Sequence, residues 1–272
     1  MKTTIKNYLK SVLLISFGFA VAQSAMALTN EEAAADLAKR VNEHGTIVVG
    51  TEGTYPPFTY HDESGKLTGY DVELTRLVAK ELGVKVDFKE TQWDAMLSGL
   101  NNHRFDVVAN QVGLTTPERR AKYDKSAEYS YSGAVVVGRK GDTRVKDWKD
   151  LKGLKSAQSF TSNYGELAIK NGAEIVGVDG LAQAIQLVLQ NRADVTLNDR
   201  LAVLDFLHKH PNANLEIILR DKSQPVGSGF IFNKGNQAVI EKFNAAIEKL
   251  KKEGKLKELS NQFFGEDVSV IE

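Results

Sequence analysis

Between residues 46 and 110 the sequence alternates short β-rich runs with amphipathic helical stretches, and few architectures accommodate that order. TIVVG (46–50) is a β-branched run bounded by glycine, which predicts a buried strand. TEGTYPPF (51–58) must be a loop, because two glycines and Pro56-Pro57 oppose both helix and ladder. DVELTRLVAKELG (71–83) places Leu74, Leu77, Val78 and Leu82 on one helical face, and Gly83 supplies the stop. VKVDF (84–88) predicts a strand, WDAMLSGLNN (93–102) a helix and FDVVAN (105–110) another strand. Strand, helix, strand, helix, strand implies a parallel sheet with helical crossovers.

A long extended segment, YSYSGAVVVG (129–138), interrupts the series, and a second one follows. Strands are predicted at 154–158, 174–178 and 194–198, with helices at 163–170, 181–190 and 200–208. GFIF (229–232) returns to strand character. The helix predicted over 237–253 carries Val239, Ile240, Phe243, Ala246, Ile247 and Leu250 at i, i+3, i+4 spacing. The expected fold is α/β with two β/α lobes: 28–131 plus 229–272 as the first, 132–228 as the second. Linkers near 129–133 and 224–228 would act as hinges around a cleft.

Residues 1–27 read as an export signal outside this fold. Lys2, Lys6 and Lys10 form a basic start, 12–22 is an apolar run, and Ala25-Met26-Ala27 is a cleavage pattern. The run is shorter than the ~20 residues a membrane-spanning helix needs. Cleavage near Ala27 would release a chain starting at Leu28, and no cysteine stands there to take a lipid anchor. A free periplasmic protein of a two-membrane bacterium is the expectation. The precursor's 35 basic and 35 acidic residues balance, but the signal removes three lysines and no acid. The mature chain is therefore slightly acidic, which speaks against a nucleic-acid partner.

Enzyme signatures are scarce. Zero cysteines exclude disulfides, thiolate metal sites and cysteine nucleophiles. No G-K-[ST] run or H-E-x-x-H motif occurs, and GSG (227–229) lacks the spacing of a nucleophile elbow. His208 and His210, two apart, do not share a helix face for a metal. No cofactor or metal is expected, and binding is favoured over catalysis.

GTEGTYPPFTY (50–60), GKLTGYDVEL (65–74), TQWDAMLSGL (91–100), FDVVANQV (105–112) and TPERR (116–120) together resemble the first lobe of bacterial extracellular solute-binding proteins, family 3. NRADVTLNDR (191–200) and NQFFGED (261–267) resemble the second lobe and C-terminus of the same family, the amino-acid receptors of ABC importers. ANQV and the run at 198–206 are most similar to the cystine-binding branch. The resemblance implies a periplasmic-binding-protein-like fold, a polar L-amino acid as ligand (cystine first, glutamine next) and an inner-membrane ABC permease as partner. The receptor itself is expected to be a monomer.

The resemblance also implies site residues. Arg119 would clamp the ligand α-carboxylate through two parallel charge-assisted bonds; read alone, it could equally be a solvated arginine after Pro117. Asp199 would take the α-ammonium, at a strand end where open α/β sheets bind ligands; read alone, it suits the N-cap of the next helix. Tyr55 and Trp93 would line the pocket with aromatic faces, and core packing is the alternative for each. Thr161 and Ser162, opening a predicted helix, would offer hydroxyl and N–H donors opposite Arg119, or simply cap that helix. Gln111 and Thr115 would contribute strand-end contacts. NQVGLTTPER is one residue longer than the family pattern, which leaves Thr115 and Thr116 interchangeable and puts Gly113 where threonine is common. A periplasmic dehydratase of the cyclohexadienyl or arogenate type shares the fold; it would need an extra acid, for which Glu166 is the candidate.

Overall fold

The computed structural model describes residues 28–223 and 225–271; the expected export signal with its cleavage pattern, and Gln224 in the expected second linker, lie outside the described residues. Helix α1 (Asn30–Asn42) opens on a capping box between Thr29 and Glu32 and buries Ala34, Leu37 and Val41. Strand β1 (Thr46–Thr51) follows, then three short strands that pair antiparallel, β2 (Thr54–Tyr55), β3 (Thr59–His61) and β4 (Leu67–Thr68). This small sheet presents the TYPPF loop, which reads from sequence only as irregular chain. Helix α2 (Tyr70–Leu82) closes on Gly83 at φ 69°, as its spacing predicts. β5 (Lys85–Glu90), α3 (Trp93–Asn101) and β6 (Val107–Val112) complete the crossover series, with β1 parallel to both β5 and β6.

The chain then makes a short helix α4 (Pro117–Lys122) and strand β7 (Tyr123–Lys125), and leaves through β8 (Ser130–Ser132). In the second lobe come β9 (Ala134–Arg139), β10 (Lys155–Gln158), α5 (Asn163–Lys170), β11 (Glu174–Gly177), α6 (Leu181–Leu189), β12 (Thr196–Asp199), α7 (Arg200–Lys209) and β13 (Leu215–Arg220). β9 lies antiparallel between β12 and β13, and β10 joins this group through a parallel bridge at Ser156 and Val195. The predicted elements therefore form, though the second lobe is more mixed than a pure parallel series. β13 falls in a stretch with no clear alternation.

Strand β14 (Val226–Asn233) carries the chain back. It pairs antiparallel with β8 through Val226–Ser132 and Ser228–Ser130, and further along with β6 and β7. The two connections between lobes are thus one hydrogen-bonded ribbon. Helices α8 (Gln237–Lys252) and α9 (Lys255–Phe264) then cover the first lobe. Phe243 of α8 meets Phe230 and Phe232 of β14 edge-on, with centroids 5.2 and 5.1 Å away. Among the described residues no helix is long and apolar enough to cross a membrane.

Candidate functional site

The carboxyl ends of β1, β6 and β12 meet at the interlobe cleft, the usual ligand position in open α/β sheets. Two adjoining cavities open there. One, of about 60 Å³, is lined by Glu52, Tyr55, Trp93 and Asn198 among others. The other, of about 430 Å³, is lined by Thr115, Ser132, Glu166 and Asp199 among others. Gln111, Asn163 and Tyr164 border both.

Arg119 is the most buried cation of the cleft, only 5% exposed. Pro117 starts α4 and Thr116 caps it through the Arg119 N–H (3.2 Å), which turns the arginine inward. The guanidinium packs 5.4 Å from the Trp93 ring centroid. It donates to the Gly113 carbonyl (3.3 Å) and, across the cleft, to the Thr161 carbonyl (3.0 Å). Burial lowers its pKa, partly offset by the Glu166 charge. The solvated-surface alternative for Arg119 is not what the structure contains.

Asp199 stands on the second lobe, also 5% exposed; unlike Arg119, which lies beneath Trp93 and lines neither cavity, it lines the larger one. Its Oδ1 accepts from the Leu201 N–H (2.7 Å) and Ser132 hydroxyl (2.8 Å), and its Oδ2 from the Tyr164 hydroxyl (3.2 Å). It is therefore the N-cap of α7 and a cavity wall at once. Burial raises its pKa. Neither Arg119 nor Asp199 has an ion-pair partner among the described residues. A buried cation and a buried anion held apart on opposite lobes are costly to an isolated protein and complementary to a zwitterion.

The two threonines now separate. Both line the larger cavity, but Thr116 Oγ1 accepts the Arg119 N–H at the α4 cap, whereas Thr115 Oγ1 is buried with no hydrogen-bond partner among the described residues. Trp93 Nε1, at the smaller cavity, is likewise buried and unpartnered. Gly113 has a packing reason: a Cβ there would stand 2.8 Å from Val226 Cγ1 on the returning strand. Tyr55 donates its hydroxyl to Asn198 Oδ1 across the cleft (2.6 Å).

Thr161 and Ser162 are placed differently from the donor pair expected opposite Arg119. Asp94 of the first lobe accepts from the Phe160 N–H (3.2 Å), the Thr161 N–H (2.9 Å) and the Thr161 hydroxyl (2.7 Å). The Ser162 hydroxyl caps α5 through the N–H groups of Tyr164 (3.0 Å) and Gly165 (3.3 Å). These donors serve a lobe-to-lobe contact and a helix cap, and Ser162 lines the smaller cavity.

Gln111 sits at φ 51°, in the left-handed region that a non-glycine residue adopts at a cost. The fully buried Asp71 holds it there, accepting from the Gln111 backbone N–H (3.0 Å) and Nε2 (2.9 Å) and from the Tyr129 hydroxyl. Burial raises the Asp71 carboxyl to about 6 and the Glu52 carboxyl to about 7. Both bind a proton more tightly folded than unfolded. The stability they give is complete below about pH 4 and is lost as pH rises towards about 7. Glu52 accepts from Asn110 Nδ2 (2.6 Å), a bond that a glutamine carbonyl can keep. Glu52→Gln is therefore expected to raise the melting midpoint by a few degrees at pH 8 and to change it little at pH 4. Thermal unfolding at the two pH values checks this.

Asp71, Asp94 and Tyr164 were not among the residues expected at the site. In sequence Asp71 and Asp94 are acids in first helical turns, where carboxylates stabilise any helix. Nothing local distinguishes them.

The profile of the bacterial extracellular solute-binding proteins, family 3, matches residues 47–266, and the chain belongs to that family. It is 52% identical over 235 residues to the L-cystine-binding protein TcyA of Bacillus subtilis, covering 86% of this chain and 87% of that protein. The unliganded open L-cystine solute receptor of Neisseria gonorrhoeae is 61% identical, with a TM-score of 0.60 over 86% of this chain and 99% of the receptor. An ancestral arginine-binding protein bound to glutamine is only 34% identical, yet its TM-score is 0.76 over 82% of this chain and 99% of that one. Better shape agreement at lower identity is what a change of angle between rigid lobes produces.

Proposed function

We propose that this protein is the periplasmic binding component of an amino-acid ABC importer, that it closes on L-cystine, and that it delivers it to an inner-membrane permease. The observation that carries the amino-acid reading is the unpaired, buried Arg119 and Asp199 on facing lobes. Arg119 takes the α-carboxylate and Asp199 the α-ammonium, with Thr115, Gln111, Tyr55 and Trp93 around them and Ser162 at the cleft's second-lobe edge. Identity above 50% to two cystine receptors supports cystine over glutamine. The β8–β14 ribbon is where we place the hinges, near 129–133 and 224–228. Ligand energy realised only when both lobes make contact would shift the open–closed equilibrium. In this reading the receptor is a monomer and not an enzyme, which its likeness to proteins named as transporter-binding supports; Glu166, the acid a dehydratase would need, is exposed on α5 and lines the larger cavity.

A thermal-shift screen of the protein against the L-amino acids tests this reading. A tight ligand raises the midpoint by mass action. L-Cystine is expected to give the largest rise; a larger rise with glutamine would replace the cystine assignment.

A further inference from the structure

The outgoing strand β8 carries two serines, Ser130 and Ser132, which share one side of it as alternate residues of a strand do. Both are buried. The Ser130 hydroxyl donates to Gln111 Oε1 of the first lobe (2.9 Å), and the Ser132 hydroxyl to Asp199 Oδ1 of the second (2.8 Å). The backbone divides at the same place. The Tyr131 N–H donates to the Val268 carbonyl of the first lobe (2.8 Å), whereas the Gly133 carbonyl accepts from the Arg200 N–H of the second (2.9 Å). Gly227, paired with Tyr131 on the returning strand, is held to the first lobe by Lys125 Nζ at its carbonyl (2.9 Å). Val226, paired with Ser132, is the next residue towards the second lobe. The bonds of the ribbon thus pass from one lobe to the other between Tyr131 and Ser132, and Ser132 is the first residue beyond.

We propose that Ser132 is a positioning residue: standing at the pivot between the lobes, it holds the Asp199 carboxylate in the orientation that receives the ligand ammonium. This rests on the amino-acid reading above and deepens it, because it ties the ammonium site to the strand that bends. Asp199 Oδ1 is fixed by two donors, Ser132 and the Leu201 N–H, and Oδ2 has only the longer bond from Tyr164 (3.2 Å). Without the Ser132 hydroxyl, Oδ1 keeps one donor and the carboxylate is free to turn. Burial pushes the Asp199 carboxyl up and the Ser132 bond brings it down, so losing that bond raises it further. An ionised Asp199 would then be lost at a higher pH as the solution is acidified. The other charged and titratable groups bearing on it stay in place: Tyr164 of α5, Arg200 of α7, Tyr55 of β2 and Asp71 of α2.

A double-mutant cycle of Ser132→Ala and Asp199→Ala tests this, read by equilibrium dialysis of labelled L-cystine and L-glutamine across the acid range. Ser132→Ala is expected to weaken binding of the probe that wild type takes by about fivefold or more near neutral pH. It should also move the acid loss of binding to higher pH. In the Asp199→Ala background the same substitution should change affinity by less than about twofold, because its partner is gone. A serine with a structural role alone would lower the unliganded melting midpoint and leave both the affinity and its acid limb where they are. A loss of the same size in the Asp199→Ala background would make Ser132 a direct ligand contact. Either result would overturn the inference and leave the amino-acid reading standing. Wild type binding neither probe would overturn both.

Discussion

Arg119→Ala is expected to raise the dissociation constant for the amino-acid ligand by roughly a hundredfold or more. A charge-assisted hydrogen bond contributes about 1.5–3 kcal/mol, and each 1.4 kcal/mol is about tenfold in affinity. A guanidinium giving two parallel bonds to a carboxylate loses both on truncation. The surroundings amplify the effect, since Arg119 is buried beneath the Trp93 ring where water screens little. Arg119→Lys should recover little, because a point charge cannot reproduce the planar fork. Its bonds to the Gly113 and Thr161 carbonyls are neutral-acceptor contacts, and Thr161 belongs to the other lobe. The unliganded melting midpoint, measured beside the titration, separates loss of the clamp from loss of the fold. Unchanged affinity would remove Arg119 from the site.

Asp199→Asn is the complementary case, and its signature is a split between affinity and stability. Affinity should fall by about tenfold or more, because an amide cannot pair with an ammonium as a carboxylate does. Stability should hold or rise at pH 7. Asparagine is as good an N-cap as aspartate, and its Oδ1 can still accept from Leu201 and Ser132, while its Nδ2 can donate to Tyr164. The substitution also relieves the burial that raises the Asp199 pKa. If Asp199 served only as a cap, stability would behave in the same way and affinity would not move. Titration calorimetry and thermal unfolding of the same preparation decide between the two.

The first lobe is legible in the sequence because its signals are local. Leu74 and Val78 recur at helical spacing, Gly83 sits at the left-handed stop, and Val49 and Val108 lie in β-branched runs. Helix α9 is less legible: it follows α8 after only Glu253 and Gly254, the latter at φ 75°, so two helices share one continuous pattern. Strand β13 gains its place from pairing with β9, a partner more than seventy residues away. The site divides in the same way. Arg119, Asp199, Tyr55 and Trp93 stand in motifs whose order carries information. The roles of Asp94 and Asp71 arise from contacts with Thr161 and Gln111, tens of residues off, and have no local trace. Thr115 and Thr116 are identical in sequence terms, and only the direction of the α4 cap tells them apart.

Isothermal titration of the purified protein with L-cystine at neutral pH addresses the central claim most directly. Saturable binding of one cystine per chain at micromolar concentration or tighter, about −8 kcal/mol or more favourable, is the expected result. Absence of saturable heat with cystine, alongside one-to-one binding of glutamine or of a basic amino acid, would contradict it.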